Sequence, residues 1–226
     1  MTLAIFDLDN TLIAGDSDYL WGQYLVELGV VDGPAYEAAN ERFYADYRAG
    51  TLDIDAFLRF ALRPLCEHAT DELMRWRAEF IRRRIEPIML AAARDLIERH
   101  RSGGDTLLIV TATNAFVTAP IAAGFGIPHL IATEPEFAGG RYTGAVAGTP
   151  AFQQGKVERL EHWLTEHGET LHGSHFYSDS INDLPLLERV DHPVAVDPDA
   201  RLHAIAAERG WPILSLRGTD GDRARE

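Results

Sequence analysis

The sequence predicts an α/β fold, a doubly wound parallel sheet with an all-helical subdomain inserted after the first strand. Over most of the chain, short apolar segments of strand character alternate with amphipathic helical patterns, the order typical of a parallel sheet covered by helices. The stretch from residue 17 to residue 101 breaks this alternation. It contains helical patterns only and is too long for a single crossover connection.

Six segments have the length and apolar content of strands, and the first of them starts almost at the N-terminus. They cover residues 3–6, 107–110, 130–132, 175–178, 194–196 and 213–216. Ligands of doubly wound sheets bind beyond the carboxyl ends of the strands. The residues that directly follow these segments are therefore the candidates for a functional site.

Five helices are predicted within the inserted stretch, over residues 19–28, 35–49, 54–65, 71–83 and 89–101. Gly50 is a suitable helix stop, and Asp53 is a suitable N-cap for the helix that follows. We therefore expect a sheet core formed by residues 1–16 and 102–226, and a helical cap formed by residues 17–101. Such a cap can exclude water from a site at the strand ends and select its substrates.

Two segments outside this alternation have their own signals. Gly139 and Gly140 lie between short segments of alternating polarity, which predicts a β-hairpin. The polar segment after Arg217 predicts a frayed C-terminus.

Composition limits the partners of the chain. Its 226 residues are 46% hydrophobic and 25% charged, which is ordinary for a globular protein, and its formal net charge is -14. That charge disfavours nucleic acid and anionic membranes as partners. The one cysteine excludes an internal disulfide, and no apolar run approaches the roughly 20 residues that span a bilayer. Because the first strand leaves no room for a signal peptide, we expect a cytoplasmic protein. We also expect it to be a monomer or a homodimer.

Two aspartates close the first strand. Side chains two residues apart on a strand point the same way, so Asp7 and Asp9 should project together from its carboxyl end. Adjacent carboxylates repel each other and resist joint ionisation. A cation relieves that repulsion, and ligands that are all oxygens favour a hard ion such as Mg²⁺.

Matching polar residues follow in order along the chain. Thr111 comes after the second apolar strand, Lys156 follows Gly155 at the start of an amphipathic helix, and Asp179 and Asp183 follow the strand at 175–178. The series Asp-x-Asp-x-Thr, Thr, Lys and Asp-x-x-x-Asp resembles the haloacid dehalogenase (HAD) superfamily of phosphatases, which use an aspartate as nucleophile. The resemblance covers nearly the whole chain and implies a HAD Rossmann-like core. The helical insertion resembles the cap of the phosphoserine-phosphatase-like subfamily IB.

The resemblance implies a role for each of these residues in a Mg²⁺-dependent phosphatase. Asp7 would attack phosphorus and bind the metal, and Asp9 would act as general acid and base while its backbone carbonyl binds the metal. The phosphoryl oxygens would be held by Thr111, Ala112, Lys156 and Asn182. Asp179 would bind the metal directly, and Asp183 through water.

From the residues alone, other interpretations stay open. Asp9 could ligate the metal directly through its side chain, Thr111 could be an ordinary β-branched strand residue, and Lys156 could be a solvated lysine. Asp179 and Asp183 could be acids that favour a helix N-terminus. Receiver-type signalling domains also combine a strand-end Asp with a Thr and a Lys, but they are shorter and have no helical insertion.

The substrate implied by the resemblance is a small phosphate monoester. Asp16 lies where phosphoserine phosphatases place an acid against the substrate's ammonium group, although it is equally suited to cap a helix. Arg59 and Arg63 lie in the region where those enzymes use an arginine for the substrate carboxylate. The second motif reads Thr111-Ala112-Thr113 instead of Ser-Gly-Gly and is more similar to a bacterial branch assigned as histidinol-phosphatases. We therefore expect histidinol phosphate first and phosphoserine second, with a phosphotransferase or phosphomutase as the alternative.

Overall fold

The computed structural model describes residues 2–218 and contains a six-stranded parallel sheet. The sheet order is β3-β2-β1-β6-β7-β8. Its strands are β1 (Leu3–Phe6), β2 (Thr106–Asn114), β3 (His129–Thr133), β6 (His175–Ser178), β7 (His192–Val196) and β8 (Ile213–Leu214). This is the predicted doubly wound sheet, and the predicted α/β class is confirmed. The predicted frayed tail falls mostly on residues 219–226, which lie outside the described residues.

Both faces of the sheet are buried, which explains why the central positions of its strands are mainly apolar. Ala4 and Phe6 of β1 pack into the core on one face, while Leu3 and Ile5 pack into a second core on the other. Strand side chains alternate between faces, so a strand covered on both sides has apolar residues at successive positions. The first core is shared with the helices between β1 and β2, and the second with the helices that follow β5.

The chain between β1 and β2 forms helices only, as predicted. They are α1 (Ser17–Glu27), α2 (Gly33–Ala49), α3 (Ile54–Ala61), α4 (Arg63–Glu67), α5 (Thr70–Phe80), a π turn (Ile81–Ile85), a 3₁₀ turn (Glu86–Ile88) and α6 (Ala91–Gly103). The helix predicted over 54–65 is divided at Leu62, because Pro64 has no N–H to continue α3 and instead lies in the first turn of α4. Gly50 ends α2 in the left-handed conformation, and Asp53 caps α3, as expected.

The helix α6 belongs with the sheet rather than with the cap. It packs against β2, and its His100 ring lies 5.9 Å from the ring of Phe6 in β1. We therefore propose that the cap ends before α6 and not at residue 101. Among the described residues, no helix is both long and apolar enough to cross a membrane.

The remaining elements follow the alternation of strand and helix. They are α7 (Ala115–Gly124), the hairpin β4 (Pro135–Ala138) and β5 (Arg141–Val146), α8 (Gln154–His167), a 3₁₀ turn (Ile181–Asp183), α9 (Leu184–Leu187) and α10 (Ala200–Arg209). The hairpin is confirmed, since β4 and β5 pair antiparallel and both central glycines have positive φ. It packs against α3 and α4 and so supports the cap from outside the sheet.

A close backbone approach fixes the start of α8. A Cβ atom added to Gly155 would lie 2.1 Å from the carbonyl oxygen of Pro150, far inside van der Waals contact. Only glycine fits there, and the tight turn places the next residue, Lys156, in the protein interior.

Gly155→Ala should therefore lower the free energy of unfolding by about 1–3 kcal/mol, the usual cost of forcing backbone shifts in a packed region. Urea denaturation followed by circular dichroism measures this change. Gly103→Ala is the matched control, since a Cβ at Gly103, inside α6, would meet no atom closer than 3.9 Å. Equal stability of the two variants would contradict this account of Gly155.

Candidate active site

The polar residues predicted from the sequence meet at the carboxyl ends of β1, β2 and β6. The chain runs from β1 outward through β2 and β3, then returns to build β6, β7 and β8 on the other side. The strand order therefore reverses between β1 and β6, which is where such sheets bind ligands. Asp7 lies at this point, and its N–H donates to the Tyr177 carbonyl of β6 at 2.9 Å.

Lys156 is the only lysine in the chain, and it is buried in this site. Its ammonium donates to Asp7 Oδ1 at 2.7 Å and to Asp183 Oδ1 and Oδ2 at 2.8 and 2.9 Å. Burial lowers the pKa of Lys156, but the Asp183 and Asp7 carboxylates outweigh burial and hold the pKa above its usual value. Lys156 is therefore a permanent cation that joins α8 to the ends of β1 and β6.

Thr11 links the carboxylates of Asp7 and Asp179. Its buried hydroxyl lies 3.1 Å from Asp7 Oδ2 and 3.2 Å from Asp179 Oδ1, and it accepts the Asp179 N–H at 3.1 Å. One hydroxyl proton serves only one carboxylate at a time. Burial raises the pKa of Asp7 to about 7, against the opposing charge of Lys156. Burial, followed by the charge of Asp7, raises the pKa of Asp179 well above its usual value. The carboxylates of Asp7 and Asp179 therefore have too little positive charge nearby to stabilise both of them in the ionised form.

The donor set around Asp7 fits a hard divalent cation. Three carboxylates, those of Asp7, Asp179 and Asp183, share the single charge of Lys156, so their joint ionisation would leave two negative charges uncompensated. Within residues 2–218, no three His, Cys, Asp or Glu side chains converge on one point as a complete metal cluster. The reason is that Asp183 is turned to Lys156 and to the Ser178 hydroxyl at 2.7 Å. The side chains of Asp7 and Asp179 could hold such a cation together with oxygen ligands from the backbone or from water.

Asp9 is held by groups from α1 and β2. Its Oδ1 accepts the N–H of Ser17 at 2.6 Å, and its Oδ2 accepts the hydroxyls of Thr113 at 2.8 Å and Thr111 at 3.4 Å. Burial raises the pKa of Asp9 above its usual value, and the hydrogen bonds from Ser17 and Thr113 offset only part of that rise. The Asp9 side chain is therefore fixed between cap and sheet.

Thr113 was not among the predicted site residues. The sequence pattern ends the second strand at 110, whereas β2 continues to Asn114 with an irregular register against β3. With that extension, Thr111 and Thr113 lie on the same side of the strand, which is why both hydroxyls reach Asp9. A strand period of two through Asn114 could have identified Thr113.

A cavity opens beside Asp7, between the strand ends and the cap. Its floor includes Asp7, Asp9 and the segment Thr111, Ala112 and Thr113. Its walls are mainly aromatic and acidic and include Asp16, Asp18, Tyr19, Asn40, Phe43, Tyr44, Tyr47, Leu52, Ile54, Phe57 and Phe152. No Lys or Arg of the described chain lines it.

Asp16 and Asp18 supply the acidic wall of the cavity. Asp16 is the N-cap of α1 and accepts the N–H of Tyr19 at 2.8 Å, so it caps the helix and also faces the cavity. Burial and the charge of Asp9 raise the pKa of Asp16 well above its usual value and that of Asp18 to about 7. A cationic group in the cavity would stabilise both carboxylates.

Three other predicted site residues lie elsewhere. Arg59 faces a surface groove beside the hairpin, and Arg63 pairs with Glu67 at 3.5 Å on the outside of α4, so neither arginine lines the cavity. Asn182 donates to the Tyr47 carbonyl of α2 at 3.0 Å and accepts from Gln153 at 3.2 Å. In this structure Asn182 connects the sheet core to the cap, and its side-chain oxygen and nitrogen are both occupied.

Comparisons with known proteins agree with this geometry. The chain is 49% identical over 219 residues to a histidinol-phosphatase of Neisseria meningitidis serogroup C, covering 95% of this chain and 99% of that one. It is 31% identical over 217 residues to a phosphoserine phosphatase of Mycobacterium tuberculosis, covering 95% and 70% of the two chains. A crystal structure from Bordetella pertussis Tohama I, a protein of unknown function, is 44% identical with a TM-score of 0.90 and covers 96% of this chain and 100% of its own.

A structure of a phospho-aspartyl intermediate analogue of phosphoserine phosphatase matches at a TM-score of 0.70 and 17% identity, over 96% of this chain and 93% of that one, and so shares the fold. The family model of haloacid dehalogenase-like hydrolases matches residues 4–188. The chain therefore belongs to the haloacid dehalogenase-like hydrolases, and the predicted family and enzyme class, a phosphatase of that family, are confirmed.

Proposed function

We propose that this enzyme hydrolyses a small, amine-bearing phosphate monoester through an aspartyl-phosphate on Asp7, with Mg²⁺ as cofactor and histidinol phosphate as the preferred substrate. The observation that carries the proposal is the cavity beside Asp7, whose wall has the carboxylates of Asp16 and Asp18 and no Lys or Arg of the described chain. Such a wall suits an ammonium group and gives a carboxylate no cationic partner, which ranks phosphoserine second. The relative at 49% identity is named a histidinol-phosphatase, which supports the same choice.

Asp7 is the proposed nucleophile. Lys156 holds its Oδ1, so the carboxylate has a fixed orientation at the floor of the cavity. One Asp7 oxygen attacks phosphorus, the P–O bond to the leaving alkoxide breaks, and the phosphoryl group is carried on Asp7. Thr111, and the backbone at Ala112, also line the floor and are suited to hold phosphoryl oxygens.

Asp9 is the proposed general acid and base. Its raised pKa favours the protonated form that gives a proton to the leaving alkoxide. The resulting carboxylate then takes a proton from the water that attacks the aspartyl-phosphate, which releases inorganic phosphate and restores both aspartates. Because α1 donates a backbone N–H to Asp9, the cap itself orients the group that moves the proton.

Asp7, Asp179 and the backbone carbonyl of Asp9 would hold Mg²⁺. When bound, the ion would offset the negative charge shared by the carboxylates and the phosphoryl group. Asp183, predicted as a ligand through water, is bonded to Lys156 and Ser178, and we propose that its main role is to position Lys156. Cap helices α1, α2 and α3 supply most of the cavity wall and would exclude bulk water from the aspartyl-phosphate.

Asp7→Asn should remove turnover, by on the order of 10⁴-fold or more, because the amide is no nucleophile. Phosphate release and intact-protein mass after a rapid acid quench test this, since wild type alone should carry one added phosphoryl group. Asp95→Asn, which changes an exposed aspartate of α6, is the control. Substantial turnover in Asp7→Asn, or undiminished turnover of wild type in excess chelator, would contradict the mechanism.

Lys156→Met should lower the free energy of unfolding by about 3–5 kcal/mol in metal-free buffer, because it leaves buried carboxylates without their cation. The control is Arg159→Met in the same helix, which removes a partly exposed cation 3.8 Å from Glu134 and should cost about 1 kcal/mol or less. Chemical denaturation measures both. Similar losses in the two variants would mean that the Lys156 contacts contribute no more than a surface pair.

Asp16→Asn should lower kcat/KM for histidinol phosphate while sparing an amine-free ester of similar size. An ammonium bonded to a charged acceptor contributes about 1.5–3 kcal/mol, or roughly 10- to 150-fold. Asparagine caps a helix as well as aspartate does, so α1 should persist. Asp53→Asn is the control because Asp53 caps α3 in the same way, outside the cavity. Equal rates of wild type on the two esters would remove the case for Asp16, and a preference for phosphoserine would contradict the proposed substrate.

A further inference from the structure

The two acids of the cavity wall lie at different points around α1. Asp16 is the N-cap of this helix, and Asp18 lies two residues later in its first turn. Asp16 has extended backbone and lies before the helix, whereas Asp18 lies inside its first turn, so the two carboxylates project from different points of the chain. The wall therefore offers two carboxylates, one for an ammonium group and one for a further donor of the same ligand.

Asp18 is held in place by the sheet. Its Oδ1 accepts the side-chain N–H of Asn114 at 3.2 Å, and Asn114 in turn caps α7 with its own oxygen. Asn114 is the last residue of β2, three positions after Thr111. This support fixes one carboxylate oxygen of Asp18.

Asn40 adds a second, independent acceptor to the same cavity. It is only 5% exposed, and its Nδ2 donates to the Tyr19 carbonyl at 2.9 Å. The other polar atom of this amide, Oδ1, accepts no hydrogen bond from the described residues. Gly22 makes the position possible, since a Cβ there would lie 2.7 Å from Asn40 Nδ2. The amide is packed closely and leaves one acceptor for a ligand.

The surrounding wall is suited to a flat ring. Phe43 and Phe57 line the cavity with their rings 5.6 Å apart and at 68°, and Tyr19 stacks on Tyr44 at 4.8 Å. An aromatic ring that carries an N–H donor would satisfy both the apolar wall and the unused acceptor. An aliphatic chain would pack against the apolar wall but would give the unused acceptor no donor.

We propose that Asp18 and Asn40 form a subsite for an N–H of an azole ring in the leaving group, separate from the ammonium subsite at Asp16. This inference rests on the proposed function and deepens it, because it requires a substrate with two nitrogen donors. Asp18 and Asn40 then determine specificity for the ring, while Asp16 determines specificity for the amine.

The test compares three phosphate esters that differ in one feature at a time. Histidinol phosphate has the amine and the imidazole, 2-amino-3-phenylpropyl phosphate has the amine and a phenyl ring, and 3-phenylpropyl phosphate has the phenyl ring only. In the wild type, kcat/KM should be about 10- to 100-fold higher for histidinol phosphate than for the amino phenyl ester. Asp18→Asn should reduce that ratio by roughly tenfold, whereas Asp16→Asn should lower both amine esters alike and keep the ratio.

Asp55→Asn is the matched control, since Asp55 occupies in α3 the place that Asp18 occupies in α1 and does not line the cavity. It should leave the ratio unchanged. Equal kcat/KM of the wild type for the two amine esters, with both above 3-phenylpropyl phosphate, would overturn the ring subsite but leave the proposed function standing. Failure of both amine esters to exceed 3-phenylpropyl phosphate would overturn the amine recognition as well.

A binding measurement keeps the inference testable if Asp18→Asn does not fold. Calorimetry with the free alcohols, histidinol and 2-amino-3-phenylpropanol, should show tighter binding of histidinol to the wild type. Asn40→Ser, which removes the unused oxygen, should reduce that preference by roughly tenfold. An unchanged preference in Asn40→Ser would exclude Asn40 from the subsite.

Discussion

The ion pairs of Lys156 with Asp7 and Asp183 are the interaction on which the rest of the site depends. This one ammonium connects the end of β1, the start of α8 and the turn after β6, three segments far apart in the sequence. Burying three charges is costly, and the cost is offset only because each carboxylate keeps further hydrogen bonds, from Thr11 to Asp7 and from Ser178 to Asp183. Gly155 makes the arrangement possible, since no other residue fits before Lys156.

Charge determines how the two halves of the cavity differ. The whole chain carries a formal net charge of -14, so a phosphate dianion finds attraction only where positive charge is concentrated locally. Beneath the floor of the cavity, buried Lys156 is bonded to Asp7, and the oxygen donors beside it are suited to a divalent cation. The wall around Asp16 and Asp18 is acidic, so a zwitterionic ester would be oriented with its phosphate toward the sheet and its cationic end toward the cap.

The sequence predicted the sheet and the floor of the site because both follow from local patterns. Strand ends, the paired aspartates at Asp7 and the hairpin glycines each need only a few neighbouring residues. The wall could not be predicted in the same way, since the placement of Asn40 depends on how α1 packs against α2 at Gly22. The resemblance assigned Arg59 and Arg63 to the substrate site only by their region of the chain, whereas Arg59 faces the hairpin groove and Arg63 pairs with Glu67.

Cap and catalytic residues are joined by direct bonds, so their positions are linked. The Ser17 N–H at the start of α1 holds Asp9, while Asn182 and Arg201 donate to the Tyr47 and Arg48 carbonyls at the end of α2. Carbonyls at a helix C-terminus have few partners within the helix, so donors from the core satisfy them and hold α2 over the strand ends. Asn182 directly precedes Asp183, the partner of Lys156. A displacement of the cap would therefore disturb Asp9 through α1 and the lysine network through Asn182, which links closure of the cavity to the orientation of the groups at its floor.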